Sequence, residues 1–179
     1  MNTVNVRPTA SRDHDAIRNV YLRAFPEPEN RTVAGLAIEL LGAATRPDTL
    51  GLVAEADGLI VGHIAFSPVT ADFGEGWLGF ILAPLGIVPA HQRAGVGSTL
   101  IDAGMARLSG DGVDVVFVYG DPSYYGRFGF TAEAAARFLP PYELQFPFGW
   151  QAMRMHGDAS DTRTVRISCA GPLCDPSLW

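Results

Sequence analysis

Residues 85–100, LGIVPAHQRAGVGSTL, join an apolar strand-like run to an apolar helix-like run through a glycine-rich turn. Gly95 and Gly97 lie in that turn, and Leu100 and Ile101 start a face with helical spacing. Glycines just before a helix let the backbone wrap an anion with its N–H groups, and the helix start adds a positive dipole end. The turn therefore predicts either a phosphate site or a tight strand-to-helix connection.

The absence of a lysine and of a third glycine from the turn excludes two kinds of phosphate site. All thirteen basic residues of the chain are arginine, so a nucleotide loop of the GK[ST] type is excluded, as is a Schiff-base lysine. A dinucleotide-binding GxGxxG turn needs a third glycine, and Leu100 stands at that place. A cradle made of backbone N–H groups remains open because it requires no lysine.

Composition bounds the class of protein. With 179 residues, 47% hydrophobic and 18% charged, the chain suits one soluble globular domain. A net charge of −6 and scattered arginines argue against a nucleic-acid partner, which needs a concentrated basic face. No stretch suits a membrane span and the first residues lack a signal-peptide pattern, so the expected location is cytoplasmic. Cys169 and Cys174 have no histidine nearby, so we expect free thiols and no metal site.

Hydrophobic periodicity predicts a single α/β or α+β domain. Pro84 interrupts one apolar run, and because proline removes a ladder donor we expect a bulge or splay there. Thr9 or Ser11 is placed to cap the first helix. The predicted strands cover 4–7, 50–56, 59–68, 77–88, 113–119, 150–155 and 164–169. The predicted helices cover 13–24, 29–41, 97–108 and a short stretch from 121 to near 129; residues 138–150 are predicted to form a structured loop, and 174–179 a tail.

Two ordered motifs resemble the GCN5-related N-acetyltransferase (GNAT) superfamily. Residues 85–92, LGIVPAHQ, are similar to its L-x-V-x-P-x-x-Q approach, and Gln92-x-x-Gly95-x-Gly97 is similar to its pyrophosphate loop. Residues 120–130, GDPSYYGRFGF, contain the Y-x-x-x-G-F pattern and resemble a bacterial branch of predicted N-acetyltransferases. The close resemblance covers roughly residues 78–130. It implies an α/β (α+β) fold with a mixed, mostly antiparallel central sheet, a splayed strand pair and flanking helices. It also implies one N-acetyltransferase-like domain over 1–179, with 157–179 as a C-terminal strand and tail.

The resemblance implies a chemistry as well. Acetyl-CoA would be the cosubstrate, and an acetyl group would pass to a primary amine by direct attack. Tyr125 would protonate the departing thiolate, with Tyr124 as the adjacent alternative. Main-chain groups of Leu85 and Ile87 would face the pantetheine arm, and an amide there would polarise the thioester carbonyl. The expected cofactor-binding residues are Leu85, Ile87, Gln92, Arg93, Ala94, Gly95, Val96, Gly97 and Ser98, with Arg127 a second arginine for the phosphates. Dimers are common among such proteins; the oligomeric state is left open, with a homodimer as one possibility.

The base and the acceptor are left open. Candidate bases are His63, more typical of a satisfied strand histidine, and the polar residues His91, Asp72, Glu75, Glu27 and Glu29; a water chain is the alternative to all of them. The acidic balance favours a cationic small-molecule or peptide amine, whereas FLPPYELQFPFGW (138–150) favours an apolar acceptor. A non-catalytic acyl-CoA-binding sensor is the competing function.

Overall fold

The computed structural model of the chain describes residues 3–157 and 160–179. Its strands are β1 (Asn5–Pro8), β2 (Leu50–Ala56), β3 (Leu59–Val69), β4 (Gly79–Ile87), β5 (Val115–Tyr119), β6 (Phe138–Leu139), β7 (Trp150–Arg154) and β8 (Val165–Arg166). Six of them form one sheet in the order β1-β2-β3-β4-β5-β7, and β6 pairs with β8 in a separate parallel ribbon. Within the large sheet only β4 and β5 run parallel. The predicted mixed, mostly antiparallel sheet is confirmed.

Among the described residues, five α-helices accompany the sheet: α1 (His14–Ala24), α2 (Glu29–Gly42), α3 (Val96–Gly110), α4 (Pro122–Tyr125) and α5 (Ala132–Ala135). Short 3₁₀ turns cover Ser11–Asp13, Pro89–His91, Gly126–Phe128, Pro147–Gly149, Gly171–Leu173 and Pro176–Leu178. None of the helices in 3–157 and 160–179 combines the length and apolarity that crossing a membrane requires.

The sheet opens where β4 meets β5. The two strands pair from Gly79 to Leu82 of β4, and Leu82 is the last residue with a partner on β5. Beyond it β4 continues to Ile87 along β3 alone. Ala83 and Pro84 together stand opposite one residue of β3, so β4 bulges at this point. The splay predicted from Pro84 is confirmed, and it leaves a gap between β4 and β5.

Side chains on the two faces of the sheet belong to separate cores. On β5, Val116 and Val118 pack with α3, whereas Phe117 packs with residues of the C-terminal segment. On β4, Leu82 belongs to the first cluster and Ile81 to the second. This alternation follows from the pleat of a strand. The gap beside β4 therefore connects the face of the sheet that packs with α3 to the face that packs with the C-terminal segment.

Three local predictions are wrong. Neither Thr9 nor Ser11 caps α1; a 3₁₀ turn precedes the helix, and the Asp13 carboxylate accepts the Ala10 N–H and pairs with Arg7 at 2.7 Å. The strand predicted over 164–169 is limited to β8, and only an isolated bridge continues it at residue 168. The loop predicted over 138–150 begins with β6, because the Val165 N–H donates to Arg137 O just before it and the Ile167 N–H donates to Leu139 O. Residues 158 and 159 of the predicted C-terminal strand and tail lie outside the described residues.

Candidate active site

The turn between β4 and α3 presents six successive backbone donors. In the part of the chain that the structure describes, the N–H groups of residues 93–98 make no hydrogen bond, whereas the next N–H, of Thr99, donates to Gly95 O at 2.9 Å. A helix start leaves its first N–H groups without an internal acceptor, and this turn adds further free donors ahead of the helix. The arrangement suits an anion with several oxygen atoms, such as a pyrophosphate.

The backbone of the turn is shaped by two residues in the left-handed region. Gly95 has φ of 84° and Arg93 has φ of 59°, a conformation that is uncommon for a residue with a side chain. Alternation of left- and right-handed residues points neighbouring N–H groups to one side and forms an anion-binding concavity. The exposed Arg93 therefore lies within the candidate phosphate turn, and its left-handed backbone helps to shape it.

A close approach from α4 leaves no room for a side chain at Gly97 unless Tyr124 moves. A Cβ at this position would lie 2.5 Å from the hydroxyl oxygen of Tyr124. The Tyr124 hydroxyl thus lies over the first turn of α3, beside the free N–H groups. Arg127 stacks on the Tyr124 ring at 4.7 Å and donates to its carbonyl at 3.2 Å. Sequence reasoning ranked Tyr124 only as a substitute acid; its place at the turn was missed because it depends on how α4 packs.

The other residues expected to bind the cofactor phosphates lie in or beside the same turn. Gln92 is exposed and its side-chain amide donates to Ile87 O at 2.9 Å, which ties the turn to the end of β4. Ala94 is exposed and Val96 is buried at the start of α3. Ser98 follows in the first turn of that helix and is half-buried.

Leu85 and Ile87 turn their main-chain groups toward the gap. The N–H of Val88 donates to Val61 O of β3 at 2.9 Å, so Val88 occupies a hydrogen-bonded pair of the antiparallel ladder. Gly86, two residues before, points its groups to β3 as well. Leu85 and Ile87 alternate with them and therefore direct their N–H and C=O groups to the opposite edge, where β5 has ended. The Ile87 C=O already accepts the Gln92 side-chain amide, and the other edge groups of these two residues are available to an extended ligand.

A cavity of about 810 Å³ passes through the gap and reaches both faces of the sheet. Leu82 and Tyr125 line it from the side of α3, while Leu36 of α2 and Tyr119 of β5 line it from the opposite side. A size of this order accommodates a small-molecule ligand pair rather than a single ion. Further wall residues come from the end of α1, the loop before β7 and the C-terminal segment: Phe25, Gln145, Phe146, Phe148, Leu173, Ser177, Leu178 and Trp179.

Tyr125 is held between the two parts of this site. Its ring lies against Gly120, where a Cβ would come within 2.5 Å of it, and meets the ring of Tyr124 edge-on at 5.0 Å. Its hydroxyl has no hydrogen-bond partner among the described residues, and the residue borders the cavity. Burial, reinforced by the neighbouring Tyr124, raises the pKa of Tyr125 above its usual value near 10. The phenol is therefore protonated at neutral pH and able to donate a proton into the cavity.

The candidate bases differ in whether they line the cavity. Glu29 lines the cavity, whereas Glu27 is exposed and lies 3.8 Å from Arg31. Asp72 and Glu75 are exposed in the loop after β3 and do not line the cavity. His91, in the 3₁₀ turn before the cradle, is half-buried and does not line the cavity either.

His63 is fully buried and bonded to Tyr21. Its Nδ1 lies 2.8 Å from the Tyr21 hydroxyl, and its Nε2 has no partner in the described part of the chain. Burial, with a smaller effect of His14, lowers the pKa of His63 to about 3. A histidine with this pKa is a poor proton acceptor, which disfavours His63 as the base. The sequence favours a strand histidine whose ring nitrogens are satisfied, and of the two only Nδ1 has a hydrogen-bond partner.

The same Tyr21 hydroxyl reaches the bulge of β4. It lies 3.1 Å from Pro84 O, and its ring occupies the space that a side chain at Gly86 would need, since a Cβ there would lie 2.7 Å from the ring. Burial raises the pKa of Tyr21 well above 10, so the phenol keeps its proton. The helical pattern predicts that Tyr21 is buried, but nothing local in the sequence indicates that it supports the bulge.

Both cysteines are free, as predicted. Cys174 is exposed, and its thiol lies 3.5 Å from Cys169 O. Burial, with a smaller effect of Cys174, raises the pKa of Cys169 to about 12. In residues 3–157 and 160–179 no group of three His, Cys, Asp or Glu is arranged to hold a metal ion.

Comparison with known proteins places the chain in a family. The model of the Acetyltransferase (GNAT) family matches residues 14–130. The uncharacterized N-acetyltransferase YjhQ of Escherichia coli strain K12 is 36% identical over 169 residues, which cover 92% of this chain and 91% of YjhQ. Among solved structures, YhbS of Escherichia coli in complex with CoA has a TM-score of 0.79 at 28% identity, covering 94% of this chain and 91% of its own. A Brucella melitensis GNAT family acetyltransferase in complex with acetyl-CoA has a TM-score of 0.69 at 30% identity, covering 95% and 96%. The chain belongs to the GNAT acetyltransferase family.

Proposed function

We propose that this protein transfers an acetyl group from acetyl-CoA to a primary amine by direct attack within the cavity beside β4. The observation that carries the proposal is the combination of free N–H groups over residues 93–98 with a cavity that crosses the sheet through the gap. A donor held on one face and an acceptor entering from the other meet at that gap. The relatives in complex with CoA and acetyl-CoA support the choice of donor.

In this proposal the turn binds the pyrophosphate of the cosubstrate. The N–H groups of residues 93–98 donate to its oxygen atoms, and the guanidinium of Arg93 adds a positive charge from the solvent side. The Tyr124 hydroxyl lies next to Gly97 and borders the path from the turn to the gap. Arg127 is occupied by its stack on Tyr124, so it stabilises α4 rather than serving as the main phosphate ligand.

The pantetheine arm then runs along the free edge of β4. Leu85 offers a main-chain donor and acceptor, and Ile87 offers a main-chain donor, in the spacing of a strand, which an extended amide-containing arm matches. An N–H group of this edge also polarises the thioester carbonyl, because a fixed main-chain dipole favours the oxyanion that forms on attack. Tyr21 holds the bulge in place through Pro84 O, so these donors are positioned before the cosubstrate binds.

Transfer itself needs one acid and one proton acceptor. The neutral amine attacks the thioester carbon, the C–N bond forms, the C–S bond breaks, and the thiolate takes the hydroxyl proton of Tyr125. The proton released by the amine passes to water in the cavity. Glu29 is the one candidate base that lines the cavity, and it lies at the exposed start of α2.

Residues from both ends of the chain build this site, which supports the proposal that residues 1–179 act as one domain. Phe25 comes from the end of α1 and Trp179 from the C-terminal segment, and both line the cavity. A homodimer stays a prediction, which sedimentation of the purified protein measures.

The competing function, an acyl-CoA sensor without turnover, shares the donor site but not the reaction. Calorimetry measures acetyl-CoA binding, and a thiol assay measures release of CoA when amines are added. Saturable binding with amine-dependent thiol release supports the transferase. Binding without release at any amine supports the sensor, and no binding to well-folded protein contradicts both.

A further inference from the structure

We infer that the acceptor is an arylalkylamine, a single cationic amine on a compact aromatic body. The inference rests on the proposed function, because it assigns the acceptor side of the same cavity. It draws on three features of that side, which are its aromatic wall, the fixed position of the wall and the sign of the charges around it.

Aromatic side chains dominate the acceptor side. Tyr119 and Trp179 stack with ring centroids 6.0 Å apart and planes at 13°, and both line the cavity. Phe146 and Phe148, with centroids 5.9 Å apart, line it near its mouth, and Phe25 lines it from the end of α1. Offset and edge-on contacts with such rings favour an aromatic ligand.

Hydrogen bonds hold the wall in position. The Tyr119 hydroxyl accepts the Phe146 N–H at 2.8 Å, and Trp179 O accepts the Gln145 N–H at 3.1 Å. The indole N–H of Trp179 donates to Leu173 O at 3.1 Å. Because these side chains are already ordered, a ligand that binds against them does not lose free energy in ordering them, and more of the contact energy remains as affinity.

Two of the rings are exposed at the cavity mouth. Phe148 is 68% exposed and Phe146 is 51% exposed, and among the described residues they are the only exposed large aromatic side chains. Exposed apolar surface that is contiguous with a cavity marks a binding surface. A small aromatic body entering the cavity covers these rings.

The charged side chains around the cavity have one sign. Glu29 and Asp121 line it, and none of the described lining residues is Arg, Lys or His. Asp121 already accepts the N–H and the hydroxyl of Ser123 at 2.8 Å, whereas Glu29 has no salt bridge in the described part of the chain. Glu29 therefore favours an approaching ammonium group, and an acceptor carboxylate finds no cation to compensate its burial. A polycation would leave additional charges against the apolar wall.

The reaction balances with this acceptor. The ammonium loses one proton to water, the neutral amine forms the C–N bond as the C–S bond breaks, and the second N–H proton leaves to water. Tyr125 protonates the thiolate and regains a proton from solvent. The products are an N-acetyl arylalkylamine, coenzyme A and one net proton.

The test is an acceptor series with the full chain. Phenethylamine, phenylalaninamide, phenylalanine and spermidine are compared by thiol release from acetyl-CoA, and their binding to the CoA complex is measured by calorimetry. We expect kcat/KM for phenethylamine to exceed that for phenylalanine and spermidine about tenfold or more, with phenylalaninamide above phenylalanine. A preference for phenylalanine or spermidine overturns the inference and leaves the transferase standing. Phenethylamine binding without turnover overturns the transferase and leaves the site assignment standing, and no binding of phenethylamine overturns the inference.

Surface variants locate the binding site. Phe148→Ala should raise KM for phenethylamine about three- to tenfold with little change in kcat, since it removes one aromatic contact at an exposed position. Glu29→Gln should raise KM for phenethylamine and reduce the ratio of kcat/KM for phenethylamine to kcat/KM for phenylalanine. Leu59→Ala is the matched control, because Leu59 is 70% exposed at the turn between β2 and β3 and does not line the cavity. If Phe148→Ala alters sedimentation but not KM, the exposed rings are a subunit contact and the inference is wrong.

Discussion

The Tyr21 hydroxyl lies 2.8 Å from Nδ1 of His63, and the same hydroxyl lies 3.1 Å from Pro84 O at the bulge of β4. His63 is therefore part of the support beneath the site. Its ring is fully buried, and burial lowers its pKa to about 3, compared with about 6.5 for an exposed histidine. The relationship links the shape of the active-site strand to the pH dependence of folding.

The sign of that dependence follows from the lowered pKa. Below pH 6.5 the unfolded chain binds a proton at His63 that the folded chain does not, so stability is complete above pH 6.5 and falls as the pH drops toward 3. We expect His63 to contribute a loss of about 2 kcal/mol of unfolding free energy between pH 7 and pH 5.

Urea unfolding at the two pH values measures this loss. His63→Asn should lower stability at pH 7 and remove that part of the pH dependence, whereas His156→Asn, at an exposed position, should retain it. An equal pH dependence in wild type and His63→Asn would show that His63 is not the buried neutral group.

Gly97 provides the sharpest test of the phosphate turn. In Gly97→Ala the added methyl meets the Tyr124 hydroxyl, which must move away from the helix start. We expect CoA affinity to fall about tenfold, the loss of roughly one hydrogen bond to a charged group. Gly110→Ala, at the other end of α3 with open space around it, is the matched control and should bind CoA as wild type does. Equal binding by both variants, measured by calorimetry, would place the pyrophosphate elsewhere.

The two neighbouring tyrosines should separate binding from chemistry. Tyr125→Phe removes the proposed acid, so kcat should fall about 10- to 100-fold while acetyl-CoA affinity changes little. Tyr124→Phe changes the hydroxyl beside Gly97 and should affect CoA affinity more than kcat. Because burial raises the pKa of Tyr125, the wild-type rate should show no alkaline loss from this group below about pH 10. Full activity of Tyr125→Phe would assign proton donation to water.

The local sequence pattern was sufficient to predict the bulge of β4 and the turn that follows it. Pro84 inside an apolar run predicts the bulge, and glycines before a helix-like run predict the turn with free N–H groups, because both features depend on residues close together in the chain. The contact between Tyr21 and His63 joins residues 42 positions apart, which periodicity does not report. Trp179 was predicted to lie in a tail, yet it is 7% exposed and stacks on Tyr119, since its burial is decided by the distant end of β5.

The most direct test of the central claim is amine-dependent release of free thiol from acetyl-CoA by the purified full chain, with the amine product identified by mass. We expect release that saturates with both substrates and yields one acetylated amine per thiol. Saturable acetyl-CoA binding with no amine-dependent thiol release would contradict it.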